Sequence, residues 1–135
     1  MTTKTSSEKK NILIIDDERD ILEAVSTFLT EANFHVKTAQ NIFLAENLLA
    51  KENFDLVITD LRLPTIVDGI QIISKIKKRI YTKHIPIIVL SGNIDQANLT
   101  ALIQLGIKDI VTKPIDPQEL LSRITNLITK NQNTN

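Results

Sequence analysis

Short apolar runs rich in β-branched residues alternate along the chain with longer segments of a different pattern. Five such runs occur, at residues 12–15, 34–38, 56–59, 85–90 and 110–112. Runs of this length and composition are typical of strands. Several of them lack polar alternation, which is expected of strands that helices cover on both faces of a sheet.

Each run is followed by a segment in which apolar residues recur every three or four positions. This spacing is typical of amphipathic helices. A strand followed by a helix, five times over, predicts parallel strands joined by right-handed crossovers. We therefore predict an α/β fold with an open, doubly wound sheet, whose functional crevice lies beyond the carboxyl ends of the strands. The five helical stripes are Ile21, Leu22, Val25, Phe28 and Leu29; Ile42, Ala45, Leu48 and Leu49; Ile72, Ile73, Ile76 and Ile80; Ala97, Ala101, Leu102 and Leu105; and Leu120, Leu121, Ile124, Leu127 and Ile128.

The composition suits one domain, because 135 residues with 42% apolar content can bury a single core. We expect a folded domain over residues 11–130, with disordered tails at 1–10 and 131–135, where the sequence is polar and lacks periodicity. Lysine plus arginine equals aspartate plus glutamate, 16 each, which disfavours a broad electrostatic grip on nucleic acid or on a membrane. The absence of cysteine excludes disulfides and thiolate chemistry. No apolar run approaches 18 residues, so we expect a cytoplasmic protein.

Chemically competent residues follow four of the predicted strands. Asp16 and Asp17 follow the first, Asp60 the third, Ser91 the fourth and Lys113 the fifth. The carboxyl ends of parallel strands meet at one edge of a sheet, so these side chains are expected to share one rim. Three neighbouring carboxylates repel one another by on the order of 10 kcal/mol, which one lysine cannot cancel. Either a proton or a cation must then be held. Hard oxygen ligands on an open rim suit Mg²⁺, and such a rim suits phosphoryl transfer.

Each of these residues also has an ordinary interpretation when taken alone. Asp17 could cap the first helix, and Asp20 could be a first-turn acid favoured by the helix dipole. Ser91 could belong to a turn, and Lys113 could be a solvated surface lysine. Their common register at the strand ends favours the functional interpretation.

The remaining charged and imidazole side chains favour no further site. His35 and His84 are interpreted as surface residues rather than ligands. The basic run at 75–79 lies late in the third helix, where the dipole favours cations. We prefer that interpretation to a nucleic-acid patch.

With these motifs in place, the sequence resembles a response-regulator receiver domain, the phosphoacceptor module of two-component signalling. The resemblance covers roughly residues 11–130. It is carried by the stretches ILIIDDE, DLVITDLRLP, DG at 68–69, PIIVLSG and VTKP, each at the expected strand end. A flavodoxin-like (βα)5 sheet with the strand order 2-1-3-4-5 is what the resemblance implies.

The resemblance also implies a role for each acid. Asp60 would be the nucleophile that accepts a phosphoryl group from a phosphohistidine on a sensor kinase or phosphotransfer protein. Asp17 would ligate Mg²⁺ directly, and Asp16 would act mainly through a bound water. The ligand set would be completed by Asp60 and by the backbone carbonyl of Arg62.

Two further residues would act on the phosphoryl group. Lys113 would pair with its oxygens, and Ser91 would move to hydrogen-bond it as the first step of a switch. The Lys113–Pro114 peptide bond would be cis, as is usual in the family.

The sequence departs from the family pattern at three places near this site. Ile110 stands three residues before the lysine, where Tyr or Phe is common, so a ring that swings inward is not available. One extra residue lies within 65–67, between Asp60 and the DG pair, so we expect the neighbouring loop to differ in shape from that of the family. Gly92 follows Ser91 where alanine is usual, and it should leave the phosphoryl group accessible to partners and water.

The function expected is that of a stand-alone phosphoacceptor, or of a receiver cut from a longer protein, that works as a signalling domain and not as an enzyme. It would catalyse only its own phosphotransfer and autodephosphorylation. A small aspartyl phosphatase is disfavoured, because its D-x-D pattern is missing from DDER. A phosphorylation-independent interaction module with a receiver fold is the other alternative, and the presence of all five key residues argues against it.

A partner surface is expected on the fourth helix, where Leu99 and Ile103 lie four residues apart on a face different from that of Ala101 and Leu105. In receivers the face formed by the fourth helix, fifth strand and fifth helix often binds partners or dimerises. The downstream partner would be a protein, and the receiver would be a monomer or a phosphorylation-dependent dimer. Simple local packing of the two residues is an equally good explanation.

Overall fold

The computed structural model describes residues 8–133; of the tails predicted at 1–10 and 131–135, residues 1–7 and 134–135 lie outside the described residues. Strands and helices alternate within that range. They are β1 (Asn11–Ile15), α1 (Arg19–Glu31), β2 (His35–Ala39), α2 (Ile42–Lys51), β3 (Leu56–Asp60), α3 (Ile66–Lys78), β4 (Ile87–Ser91), α4 (Gln96–Gln104), β5 (Asp109–Thr112) and α5 (Pro117–Asn133).

The five strands form one parallel sheet in the order β2-β1-β3-β4-β5, which confirms the predicted α/β fold and strand order. The central strands pair in register, with Ile14 opposite Ile58 and Ile58 opposite Ile88. All strands run the same way, so their carboxyl ends lie at one edge of the sheet. The residues that follow β1, β3, β4 and β5 are thereby brought to that edge.

Apolar residues of the strands bury both faces of the sheet. Leu13 and Ile15 belong to a core that includes residues of α2, α3 and α4. Ile12 and Ile14 belong to a second core with residues of α1 and α5. Burial of each such side chain contributes about 1.5–3 kcal/mol, so the uninterrupted apolar strands are what holds the two helical layers on the sheet.

Polar side chains fix where several helices begin. Asn41, Thr65 and Asp95 each precede a helix and accept a backbone N–H three residues on, at 2.9, 3.3 and 2.8 Å respectively. Gly106, two residues after the end of α4, has a left-handed backbone conformation with φ of 86°. The next N–H, that of Ile107, donates to the carbonyl of Leu102, which closes the helix end.

Helix α3 ends earlier than the sequence predicted. Ile80 was placed in the buried stripe of that helix, but the helix stops at Lys78 and Ile80 is 71% exposed. The backbone turns extended at Arg79, and the Thr82 hydroxyl donates to the carbonyl oxygen of Ile76 at 2.8 Å. The Thr82 side chain therefore provides a hydrogen-bond donor to a carbonyl in the last turn of the helix. The predicted packing of Ile80 is wrong.

Other boundaries differ by a few residues. Strand β4 begins at Ile87, after Pro86, which has no N–H for a strand ladder. Helix α5 continues to Asn133, beyond residue 130 where the sequence placed the end of the domain. Ala97, predicted to lie on the apolar stripe of α4, is exposed near the first turn of that helix. Within residues 8–133 no helix is both long enough and apolar enough to cross a membrane.

Candidate functional site

Three carboxylates meet at the carboxyl edge of the sheet. Asp16 and Asp17 directly follow β1, and Asp60 is the last residue of β3. One oxygen of each lies within 4.8 Å of the others. Asp16 is fully buried and Asp60 is 6% exposed, whereas Asp17 faces solvent. The predicted grouping of the three acids is confirmed.

Lys113 brings the cation of the site to these acids. Its Nζ lies 3.4 Å from Oδ2 of Asp60, 3.5 Å from Oδ2 of Asp16 and 3.2 Å from Oε1 of Glu18. Burial lowers the pKa of Lys113, but the carboxylates of Asp16 and Asp60 outweigh that effect, and the pKa is raised from its ordinary value. The ammonium therefore stays charged at neutral pH.

Asp16 carries a carboxylate that is costly to ionise. Burial, together with the neighbouring charge of Asp60, raises its pKa to about 6, although a hydrogen bond from the Glu18 N–H and the charge of Lys113 oppose that rise. The Glu18 N–H donates to Oδ1 at 2.8 Å. Oδ2 is the one buried side-chain polar atom, within the described part of the chain, that makes no hydrogen bond, although the Lys113 ammonium lies 3.5 Å away. A cation bound to this oxygen would offset the free-energy cost of burying its negative charge.

Asp17 does not cap the first helix. The N-cap of α1 is Glu18, which makes no side-chain capping hydrogen bond. The capping interpretation of Asp17 is therefore wrong, and its exposed carboxylate belongs to the acidic cluster instead. Asp20 does lie in the first turn of α1, as expected of an acid near a helix amino end.

Ser91 ends β4, beside the strand that carries Asp60. Asp60 pairs with Leu90, so Ser91 lies one residue beyond the paired position, and it is 3% exposed. The Lys113 N–H donates to the carbonyl of Ser91 at 2.9 Å, which ties the two predicted site residues together through the backbone. The Lys113–Pro114 bond is cis, as predicted.

Most of the other residues named from the sequence have exposed side chains. Arg62 follows Asp60 by two residues with its side chain exposed, and the role of its carbonyl stays a prediction. His35 and His84 are exposed, as expected. Ile103 on α4 is 60% exposed, while Leu99 is half-buried, so only one of the pair is freely presented.

Two residues of this region were not singled out from the sequence. Glu18 is the last residue of the ILIIDDE stretch and had no predicted role, yet it shares Lys113 with the acids. Gly69 stood only inside the DG match, yet a Cβ at this position would overlap the backbone of Leu61, the residue after Asp60. A third acid after two adjacent acids was a usable signal for Glu18. The close approach at Gly69 depends on tertiary packing and has no local signal.

The residues present fit Mg²⁺. The donor set consists of carboxylate oxygens, which are the ligands this hard cation prefers, and one donor is exposed, so that water can share the coordination. The unsatisfied Oδ2 of Asp16 points to the same conclusion, because a divalent ion would compensate its burial.

A family model described as "Response regulator receiver domain" matches residues 12–125. The regulatory protein VanRc of Enterococcus gallinarum is 33% identical over 129 residues, which are 96% of this chain and 53% of that protein. The chain thus spans about half the length of the curated relatives it matches.

Solved structures have the same architecture. The signal receiver domain of an HD domain-containing protein from Pseudomonas fluorescens is 27% identical, with a TM-score of 0.85 over 93% of this chain and 98% of that one. A CheY-like receiver domain protein from Methanospirillum hungatei, at 23% identity, shows the same fold with a TM-score of 0.88 over 95% of this chain and all of that one. The chain belongs to the response-regulator receiver domain family.

Proposed function

We propose that this receiver accepts a phosphoryl group on Asp60 from a phosphohistidine of a sensor kinase or phosphotransfer protein, and that Mg²⁺ is required. The observation that carries the proposal is the arrangement of Asp60. Its carboxylate is nearly buried, lies 3.4 Å from the Lys113 ammonium and shares a cluster with two further carboxylates. A nucleophile, a fixed cation and a set of metal ligands thus converge on one group.

The transfer would proceed by covalent catalysis with a carboxylate. An oxygen of Asp60 forms a bond to phosphorus while the bond from phosphorus to the histidine nitrogen breaks, and the imidazole leaves with that electron pair. Lys113 neutralises negative charge on the transferred oxygens from its position beside Asp60. Hydrolysis of the acyl phosphate by water would return Asp60 to its starting form.

Mg²⁺, when bound, supplies positive charge that offsets repulsion between the incoming phosphoryl group and the acids. The residues that would hold it are Asp16, Asp17 and Asp60, with the backbone carbonyl of Arg62. The buried Oδ2 of Asp16, which makes no hydrogen bond, supports this assignment. Lys113 alone offsets too little of the charge on the acids for a further anion to approach.

The donor protein must approach close to Lys113, and an apolar groove lies there. The groove has a volume of about 230 Å³ and runs between α1 and the start of α5. Its lining includes Ile21, Phe28, Pro114 and Ile115 beside Lys113. A surface of this kind suits apolar side chains of a docked partner, so we assign donor docking to it.

The response to phosphorylation would begin at Ser91, which is buried on the neighbouring strand and tied to Lys113 through the backbone. Ile110 on β5 is aliphatic and half-buried, so the signal would pass to α4 without a swinging ring. The output surface would be the face of α4, β5 and α5. Ile103, which is 60% exposed, is the residue of that face best placed to contact a downstream protein.

Incubation with acetyl phosphate tests the proposal. Intact-mass spectrometry should show the gain of one phosphoryl group in the presence of Mg²⁺, no gain with EDTA, and no gain for Asp60→Asn. Asp55→Asn, on the same segment, is the matched control and should be phosphorylated normally. If the chain gains no mass either with or without Mg²⁺, and calorimetry detects no Mg²⁺ binding, the protein is instead an interaction module that works without phosphorylation.

A further inference from the structure

Two exposed apolar residues lie near the amino ends of the strands, away from the carboxyl edge that carries Asp60. Ile80 and Tyr81, between α3 and β4, are 71% and 87% exposed. Isolated exposed apolar residues are common and need no explanation. A consecutive pair beside a concave surface is less ordinary, since each side chain would lower the free energy of the protein by being covered.

The turn that presents this pair is well held. Thr82 is 7% exposed, and its hydroxyl donates to the carbonyl of Ile76 at 2.8 Å. Backbone hydrogen bonds join Lys83 to Arg79 at 2.8 Å and Ile85 to Thr82 at 3.0 Å. The turn therefore holds Ile80 and Tyr81 outward, as a pre-organised contact surface requires.

A groove lies beside the pair. It is lined by residues 49–55, 79–82, 84 and 85, at the amino ends of β3 and β4, and we call it the basal groove. Lys83 does not line the groove but is exposed in the same turn, between the lining residues Thr82 and His84. Its volume is about 740 Å³, within the range of 300–1,000 Å³ that is common for binding clefts. Buried Leu49, Phe54 and Ile85 contribute to its lining. Such a surface accepts an apolar side chain.

Cations outnumber acids in the two segments that form the basal groove, with Lys51, Arg79 and Lys83 against Glu52 and Asp55. Residues 69–94 contain no aspartate or glutamate, but they contain five cations: Lys75, Lys77, Lys78, Arg79 and Lys83. Of these, Lys75 and Arg79 already contact Glu46.

Of the two acids of the groove, Glu52 has a cationic partner, whereas Asp55 is hydrogen-bonded to an uncharged group and keeps its negative charge. Glu52 lies 3.7 Å from Lys37, and Asp55 accepts the Asn11 N–H at 2.8 Å. Neither Lys51 nor Lys83 takes part in an ion pair with the residues that the structure describes. The two unpaired lysines outweigh the single charge of Asp55, so net positive charge beside the groove is left for a partner.

We propose that the basal groove binds an acidic peptide segment of another protein. An apolar side chain of the peptide enters the groove beside Ile80 and Tyr81, while its carboxylates face Lys51 and Lys83. A peptide fits the concave shape, whereas a flat membrane surface would leave the groove unfilled. Complementary charge would speed the association and select acidic sequences.

The basal groove is separated from the phosphoacceptor site. Strand β3 has five residues, with the groove before its first residue and Asp60 as its last, so about 13 Å of strand lies between them. The proposed binding therefore goes beyond phosphotransfer and does not depend on it. Asp60→Asn should bind the peptide as the unaltered chain does.

Selection from a random dodecapeptide phage library on the immobilised chain tests this proposal. The expected result is enrichment of acidic sequences that contain an apolar residue. A fluorescein-labelled synthetic copy of the most enriched peptide should bind in fluorescence anisotropy. Tyr81→Ser and Lys83→Glu should each weaken that binding by about tenfold. Both side chains are exposed, so both variants should keep the melting temperature of the unaltered chain.

Matched controls are available on other surfaces. Phe43→Ser removes an apolar side chain with the same 71% exposure as Ile80, and Lys130→Glu reverses a charge on α5, which covers the other face of the sheet. Both should bind the peptide normally. No enrichment, enrichment without acids, or equal loss in Phe43→Ser would overturn the proposal. So would binding to phosphatidylserine vesicles that Tyr81→Ser abolishes, because it would assign the surface to a membrane.

Discussion

Gly69 packs against the backbone of Leu61 with no room for a side chain, since a Cβ at position 69 would overlap the Leu61 carbonyl oxygen. Gly69 lies in the first turns of α3, and Leu61 is the residue after Asp60. Helix α3 and the loop that follows Asp60 are therefore in direct backbone contact. This contact requires glycine for reasons of space and not of backbone conformation.

Gly69→Ala should destabilise the protein by about 1–3 kcal/mol or more, because backbone atoms must move apart. An alanine in a helix is ordinarily favourable by up to about 1 kcal/mol, so the sign of the result is informative. Chemical denaturation measures the free energy of unfolding. Gly92→Ala is the control, since no atom lies within 4 Å of a Cβ there, and it should change stability by less than about 0.5 kcal/mol. Equal stability of the two variants would contradict the packing described.

Asp16→Asn should raise the free energy of unfolding at pH 7 in EDTA. The folded-state pKa of Asp16 is raised from 3.8 to about 6, chiefly by burial, so the folded chain binds a proton more tightly than the unfolded chain does. Stability consequently falls as pH rises between those two values, and the cost is fully present above them. Removing the charge should recover on the order of 1–3 kcal/mol.

Denaturation at several pH values checks this prediction. The difference between Asp16→Asn and the unaltered chain should shrink as the pH falls from 7 towards 4. Asp109→Asn on β5, an acid that is paired with Arg123 outside the site, serves as control and should not stabilise. A lower stability for Asp16→Asn at pH 7 would refute the electrostatic explanation.

Mg²⁺ should raise the melting temperature. At a concentration ten times the dissociation constant, the added stability is about 1.4 kcal/mol, which corresponds to roughly 5 °C for a domain of this size. EDTA should reverse the shift. Asp17→Asn should abolish it without unfolding the chain, because Asp17 is exposed and caps no helix. Asp20→Asn, an acid of the first helical turn, should retain it, and loss of the shift in both variants would point to non-specific binding.

Replacing Lys113 should slow phosphorylation far more than replacing Glu18. Lys113→Met removes the cation beside Asp60 and should slow phosphorylation by acetyl phosphate by about 10²-fold. Glu18→Gln breaks the 3.2 Å contact with Lys113, but the Glu18 side chain is 62% exposed and such pairs are worth little. It should change the rate by less than about threefold. Single-turnover phosphorylation followed by intact mass compares the two variants, and similar losses would show that Glu18 is needed to position Lys113.

The sequence predicted most of the fold because the strands are short and rich in β-branched residues, because most of them are uninterrupted apolar runs, and because each helical stripe has regular spacing. The strand ends then placed Asp16, Asp17, Asp60 and Lys113 correctly, since parallel strands bring their carboxyl ends to one edge. Element ends were predicted less well. Ile80 continued the spacing of α3, and nothing local signalled that Thr82 would take the carbonyl of Ile76.

The parts of the site that depend on packing could not be predicted. The contact of Gly69 with Leu61 joins two segments whose approach is set by the whole α3 layer. Oδ2 of Asp16 makes no hydrogen bond because that side chain is completely buried, and the two adjacent acids in the sequence did not indicate this burial. The basal groove likewise arises from two connections that only the sheet brings side by side.

The identity of the phosphorylated residue is the most direct test of the central claim. Borohydride reduces an aspartyl phosphate to homoserine, and the tryptic peptide over residues 52–62 contains both Asp55 and Asp60. After treatment with acetyl phosphate and Mg²⁺, fragment masses should place homoserine at position 60 and leave Asp55 unchanged. Homoserine at another aspartate, or a phosphorylated chain in which position 60 is unmodified, would contradict the assignment of Asp60 as the nucleophile.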